Sequence, residues 1–278
     1  MTILSRNKII ERIMRGEEKL QDAMPLVLRQ KLNEYNGIQE EDSKGKEAKF
    51  KEYFRALENI GPEVLEKRLN KIKEAAKELH SGKDSAILIH DLNPEYLQGA
   101  NYDLRLGEDF YVTTNKLPDK LTRVGSNKAL VIEPGEFGLL MAHEYLCLPS
   151  DLMAFISIRM RYKCRGLVNI SGFHVDPNWC GKLLFAVYNA GPNDVVLRYK
   201  EAVFMIMFEE LKGDVRGGPE STYQGIENIP VETILGLRGT SVSVRNLDER
   251  VRRLEITLAI LTSIVVGLIG VVLMLGIR

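Results

Sequence analysis

The chain has 278 residues, 45% of them apolar, with 38 Lys and Arg against 38 Asp and Glu. That length suits one large domain or two modest ones, and zero net charge excludes a DNA or RNA polymer held by a global positive field. Three cysteines and no secretory signal at the start point to a reducing cytosol and no disulfide framework.

From the N-terminus, residues 1–84 read as helical and charge-rich. Segments such as Glu63-Val64-Leu65-Glu66-Lys67-Arg68-Leu69 place apolar residues at helical spacing, the pattern of amphipathic helices packed on a neighbour. Gln39 to Lys46 is polar throughout and reads as a solvated loop. Between 85 and 212 the pattern changes to short strands, Ala129–Ile132, Met153–Ile158, Leu183–Tyr188 and Ala202–Phe208 among them. Turn signals such as Pro134-Gly135, Asp176-Pro177-Asn178 and Ala190-Gly191-Pro192 separate them. Regular strand–turn spacing predicts an all-β barrel or sandwich.

Within this region Arg159, Arg161, Lys163 and Arg165 occupy alternate positions. On a regular strand all four would share one face, offering forked donors and point charges to a phosphate chain. The alternative is an edge strand made basic against aggregation. Residues 213–240 follow as a loose linker, and 241–255 as a stalk.

From Ile256 to Ile277 no residue is charged, and a helix of that length spans roughly the 30 Å of a bilayer's hydrocarbon core. Arg250, Arg252 and Arg253 precede it and only Arg278 follows, so the positive-inside rule leaves the N-terminal bulk in the cytoplasm. The mean hydropathy of −0.13 is therefore a polar body averaged with a lipid-embedded tail. Val244, Leu247, Val251, Leu254, Leu258, Leu261, Val265, Leu268, Val272 and Leu275 step by three and four without a break. This is a coiled-coil seam running from the stalk into the membrane; Val with Leu leans towards two strands without fixing the copy number.

Other chemistries have no footing. The four histidines (His80, His90, His143, His174) and three cysteines (Cys147, Cys164, Cys180) lack the spacing of a zinc deaminase or metalloprotease. There is no Walker loop and no dinucleotide fingerprint.

A set of ordered motifs remains. Ile3-Leu4-Ser5-Arg6-Asn7-Lys8-Ile9-Ile10 opens the chain; Leu97-Gln98-Gly99-Ala100-Asn101-Tyr102-Asp103-Leu104-Arg105-Leu106-Gly107 follows much later. Then come Ile132-Glu133-Pro134-Gly135, Leu148-Pro149-Ser150-Asp151-Leu152, Val175-Asp176-Pro177-Asn178-Trp179-Cys180-Gly181 and Tyr188-Asn189-Ala190-Gly191. In this order they resemble the trimeric dCTP deaminase/dUTPase superfamily, closest to its deaminase branch. The resemblance implies an α+β chain: a mainly-β distorted jelly-roll barrel (85–212) with its N-terminal helix at 1–17 and a helical insertion at 18–84. Linker (213–240), coiled-coil stalk (241–255) and one transmembrane helix (256–277) complete the expected organisation.

The departures from that family carry the functional expectation. The deaminases' proton-moving Glu, three residues before the Asn of the Tyr-Asn pair, corresponds here to Ala186. Losing a general acid/base costs about 10²–10⁴ in rate, so deamination is expected to be abolished. The Arg-Ser-Ser motif is replaced by Arg159-Met160-Arg161, and the glycine-rich C-terminal arm of dUTPases by Gly239-Thr240-Ser241 leading into the stalk. By resemblance Asp176 lies near the sugar and attacking water, Trp179 stands at the deoxyribose-selecting aromatic, and Tyr223 and Gln224 match a tail segment that reaches the phosphates. The expected protein is a membrane-anchored nucleotide receptor, a homotrimer coupling a nucleotide or nucleotide-derived ligand to a bundle of helices in the lipid bilayer. By analogy alone, that would suit an antiviral or stress effector. Its rivals are a membrane-bound hydrolase using Asp176, with Mg2+ on the phosphates, and a ligand-free trimerising scaffold.

Overall fold

A computed structural model describes residues 2–79, 85–113, 122–123, 129–213, 215, 223–236 and 244–276. His80, Arg278 and the expected linker–stalk junction at Gly239, Thr240 and Ser241 lie outside the described residues. After the short strand β1 (Thr2–Ile3), helices α1 (Arg6–Lys19), α2 (Leu26–Asn36), α3 (Ser43–Glu58) and α4 (Pro62–Leu79) follow in turn. Proline at the first position of α4 costs no hydrogen bond there, and Asp42 caps α3 by accepting from the Gly45 amide at 2.9 Å. Ile9, Ile10, Ile13 and Met14 make α1 a buried stripe, against which Phe50, Tyr53 and Phe54 of α3 join one core.

The β region comprises β2 (Leu88–His90), β3 (Tyr102–Val112), β4 (Thr122–Arg123), β5 (Ala129–Ile132), β6 (Phe137–Cys147), β7 (Leu152–Ile158), a helical turn α5 (Met160–Lys163), β8 (Leu167–Asn169), β9 (His174–Val175), β10 (Cys180–Asn189), β11 (Val195–Arg198) and β12 (Ala202–Glu210). The antiparallel sheet runs β8-β10-β6-β3-β12-β7-β9, and β5 pairs with β11 beside it. It curls into a half-barrel around Phe185 and Phe204, whose rings stack at 3.7 Å between centroids. The expected α+β architecture, mainly-β with N-terminal helices and one long C-terminal apolar helix, is the one present.

Helix α1 is keyed onto this barrel. Arg12 reaches Asp151 at 2.8 Å and Glu210 at 2.6 Å, and β1 pairs with the end of β12.

Three expectations are corrected. The basic residues 159–165 do not alternate on a strand: β7 ends at Ile158, and Met160–Lys163 turn helically with Tyr162 facing the core. Alternation around a helical turn spreads side chains over different directions, so no shared basic face forms. The cysteines are not all free. Register places Cys147 and Cys180 directly opposite one another on β6 and β10, with Cα atoms 4.1 Å apart, and their sulfurs are joined. Nor is the linker uniformly loose: it contains α6 (Val231–Gly236), and Ile229 and Ile234 are buried against Tyr111, Leu139 and Met141 on the sheet's outer face.

The last element, α7 (Val244–Gly276), is one uninterrupted helix, and from Leu247 to Gly276 it is long and apolar enough to cross a membrane. Thr262 and Ser263 turn their hydroxyls back onto the carbonyls of Leu258 and Ala259 at 2.9 and 2.8 Å. No water is needed to satisfy them.

Candidate functional site

The outer face of β10 presents Leu184 and Ala186, because alternate residues of the strand turn Phe185 and Val187 inward. Beside them stand Phe137 and Leu139 of β6. Ile156 of β7, the β8–β9 loop and β9 close one side, and the returning segment with Tyr223, Ile226 and Thr233 closes the other. The half-open cavity measures about 450 Å³.

Of the residues expected to bind a nucleotide, Asp176, Trp179 and Tyr223 line this cavity, and Ala186 lines it too. Asp176 is half exposed at the mouth, with His174 Nε2 3.4 Å from its carboxylate. The turn that aims it depends on Asn178, whose φ of 62° is a left-handed value that Asn tolerates. The buried Asn178 side chain donates to the Val215 carbonyl at 2.8 Å. Trp179 packs against Gly181, which has φ +142° and where a Cβ would be crowded, 3.1 Å from the indole. Tyr223 and Thr233 approach each other through their hydroxyls at 3.3 Å, bridging the two ends of the return segment.

Gln224 does not line the cavity. It works as a clasp, accepting from the Cys180 amide at 3.2 Å and donating to the Asn178 carbonyl at 3.0 Å. The four cations are also absent from the wall. Arg159 pairs with Asp103 at 3.3 Å, Arg161 with Glu201 at 3.5 Å, and Lys163 donates to Ser157 Oγ at 2.7 Å. Arg165 is exposed, and its carbonyl lies against Gly191. Among the described lining residues there is one carboxylate and one imidazole, and no lysine or arginine. Apart from Asp176 and His174, the described lining is therefore apolar or neutral and polar. No three His, Cys, Asp or Glu side chains converge as a metal-binding group among the described residues.

A second polar constellation was not singled out from sequence. Glu17 and Arg68 form a buried ion pair, which the Tyr53 hydroxyl joins at 2.8 Å and the Ile89 carbonyl at 3.1 Å. Arg68 also meets His90 Nδ1 at 3.3 Å. Asp91, itself at φ 57°, stands between His90 (3.7 Å) and His143 (3.4 Å). Arg105 then binds Glu144 at 2.7 Å and also donates to the Asp91 carbonyl. Burial pushes His90 down to about 4, and burial with the Arg105 charge pushes His143 down to about 3. Burial opposes ionisation of Asp91, but His90, His143 and Arg105 outweigh it and hold the carboxyl below its ordinary value. The network ties α1 and α4 to β2, β3 and β6. Its only sequence signal was charged residues at helix positions that periodicity assigns to the buried stripe.

The antiparallel half-barrel thus carries on its outer face a cavity closed on one side by a return segment. The sequence profile described as dCTP deaminase-like matches residues 71–211, and the chain belongs to that family. It is 34% identical to the dCTP deaminase of Pyrococcus abyssi over 143 residues, 51% of this chain and 89% of that enzyme. With the dCTP deaminase of Pyrococcus furiosus the identity is 37%, covering 50% and 85%. Among solved structures, the 2'-deoxycytidine 5'-triphosphate deaminase of Agrobacterium tumefaciens aligns with TM-score 0.37 at 21% identity, covering 43% of this chain and 41% of that one. EIAV dUTPase aligns with TM-score 0.29 at 12% identity, covering 44% and 97%.

Proposed function

We propose that this protein is a membrane-anchored nucleotide receptor built on a barrel that no longer deaminates. One observation carries the reading: Ala186 lines a cavity that still has Asp176 and Trp179 in its wall. The relatives are named as dCTP deaminases. At the position where their branch is expected to carry the proton-moving carboxylate, this side chain ends at Cβ. A methyl group can shape a pocket but cannot move a proton. Trp179 offers a ring face to a deoxyribose, and the Asp176 carboxylate can accept from its hydroxyl.

By family resemblance the barrel assembles as a trimer, which would bring three copies of α7 side by side in the bilayer, with the barrels on the cytoplasmic side. Basic residues of the 159–165 segment would meet the phosphates only across such an assembly, since they do not line the cavity of their own chain. Mg2+ would arrive on the phosphates, with Asp176 the one carboxylate in the wall among the described residues.

The test is calorimetry of the full chain in detergent with dCTP, dUTP and dTTP, alongside assays for ammonia and pyrophosphate release. Binding without turnover, weakened at least tenfold in Trp179→Ala, is expected; that factor corresponds to about 1.4 kcal/mol of lost ring contact. The half-exposed Asp176 beside His174 favours a second reading, hydrolysis of a nucleotide phosphate by activated water. Pyrophosphate release that disappears in Asp176→Asn would establish it and overturn the receptor. No binding of any nucleotide would leave a trimerising scaffold.

A further inference from the structure

We propose that Cys147 and Cys180 are a thiol–disulfide couple whose oxidation latches the return segment 223–226 onto the cavity. The two residues face each other across β6 and β10 and are buried, at 0% and 4% exposure. Cys180 is also the attachment point of the return segment. Its N–H donates to Gln224 Oε1 at 3.2 Å, and its carbonyl accepts from Gly225 N–H at 2.7 Å. Two residues further along β10, Lys182 N–H donates to the Ile226 carbonyl at 2.8 Å. Cys180 follows Trp179 directly, so the same backbone carries one wall of the cavity and anchors the other, with Tyr223 and Ile226. A bond from this point to Cys147, itself paired to Leu88 of β2, fixes both walls to the end of β6.

Cycling, rather than permanent stapling, follows from the other end of the chain. Arg250, Arg252 and Arg253 before the apolar helix favour the cytoplasmic side for the barrel, where thiols are held reduced and disulfides are transient and sensing. Burial selects a small oxidant, a hydroperoxide. One cysteine sulfur attacks the peroxide oxygen, the O–O bond breaks, and a sulfenic acid and water form. The second thiol attacks that sulfur, the S–S bond forms and a second water leaves, so two thiols and one H2O2 give a disulfide and two waters. A dithiol reverses this by two exchanges. Cys164, exposed after α5, is outside the pair.

The latch is independent of the ligand, although its effect on affinity rests on the receptor reading. The experiment takes the full chain with Cys164→Ser, in detergent, after hydrogen peroxide or dithiothreitol. It follows intact mass, hydrogen exchange of the Gly225 and Lys182 amides, and binding of dCTP, dUTP and dTTP. Oxidation is expected to remove two hydrogens and to slow both amides about tenfold, the worth of one net hydrogen bond. It should also tighten nucleotide binding by a similar factor. Cys147→Ser should show the reduced behaviour under both treatments. Equal exchange in the oxidised and reduced protein overturns the latch, as does a disulfide that persists in a reduced-glutathione buffer. Redox-dependent exchange without binding of any nucleotide supports the latch and sinks the receptor reading alone.

Discussion

Glu17 and Arg68 are each 1% exposed at the side chain, and the Tyr53 hydroxyl, the Ile89 carbonyl and His90 Nδ1 add further hydrogen bonds to the pair. Such a pair adds little over a well-packed apolar contact, but removing one partner leaves an uncompensated charge in the core. Glu17→Gln is therefore expected to cost about 3–5 kcal/mol in urea denaturation. Glu11→Gln, which breaks the half-exposed pair with Arg15, should cost under about 1 kcal/mol. Similar losses for the two would refute the buried network as a joint between helices and barrel.

The same network sets the acid limit of stability. His90 and His143, at about 4 and about 3 in the folded chain, lie below the ordinary 6.5 that they regain on unfolding. The unfolded chain takes up protons first, so stability is complete above about pH 6.5 and falls as pH drops towards 4 and then 3. The depressed Asp91 carboxyl adds loss in the same direction, below its unfolded value of 3.8. Urea midpoints measured from pH 7.5 to 4.5 should decline monotonically, with a shallower slope in His143→Gln. A flat profile would contradict the burial of both imidazoles.

At the scale of elements, the return segment is held by close packing as much as by hydrogen bonds. A Cβ at Gly181 would meet the Trp179 ring at 3.1 Å and the Ile226 amide at 3.2 Å, on a backbone at φ +142°. Gly181→Ala is expected to destabilise by about 1–3 kcal/mol and to speed proteolysis within 223–236. Gly99→Ala, with nothing within 4 Å, should do neither. Strands such as Ala129–Ile132 and Leu152–Ile158 were legible because one face of each is buried and burial alternates along them. By contrast, β6 in the wall of the site is buried on both faces and shows no such alternation. Alternation misled at Arg159–Arg165, where charge rather than burial alternated and Tyr162 was the residue that faced the core. Ile226, Ile229 and Ile234 were the signal that the linker packs, but isolated apolar residues among turn formers have no period to read. The Cys147–Cys180 pairing depends on the register between β6 and β10, which no local pattern specifies. Asp176, Trp179 and Ala186 could be brought to one cavity only through the ordered motifs, since nothing in their own spacing predicts that they meet.

For the molecule as a whole, the open question is which part counts the copies. Every described seam residue from Leu247 to Leu275 is at least 50% exposed within one chain, along a helix of 33 residues, roughly 50 Å. If the apolar half spans a bilayer, lipid covers that surface; in the proposed stalk half, where Val251 and Leu254 stand among Arg250, Arg252 and Arg253, partner helices would cover it. A seam of Val with Leu favours two strands when it acts alone, whereas the family resemblance of the barrel implies three. If the barrel dominates, mass measurement of the full chain in detergent gives three copies, and Val251→Glu with Leu254→Glu leaves that number unchanged. The stalk should nevertheless come apart in that variant. Asp248→Cys, expected to crosslink between chains when it is the one change at the stalk, should lose most of that crosslinking when combined with Val251→Glu and Leu254→Glu. Two copies in the parent, falling to one in the variant, would show instead that the helix sets the assembly and that the barrel is carried as a passenger.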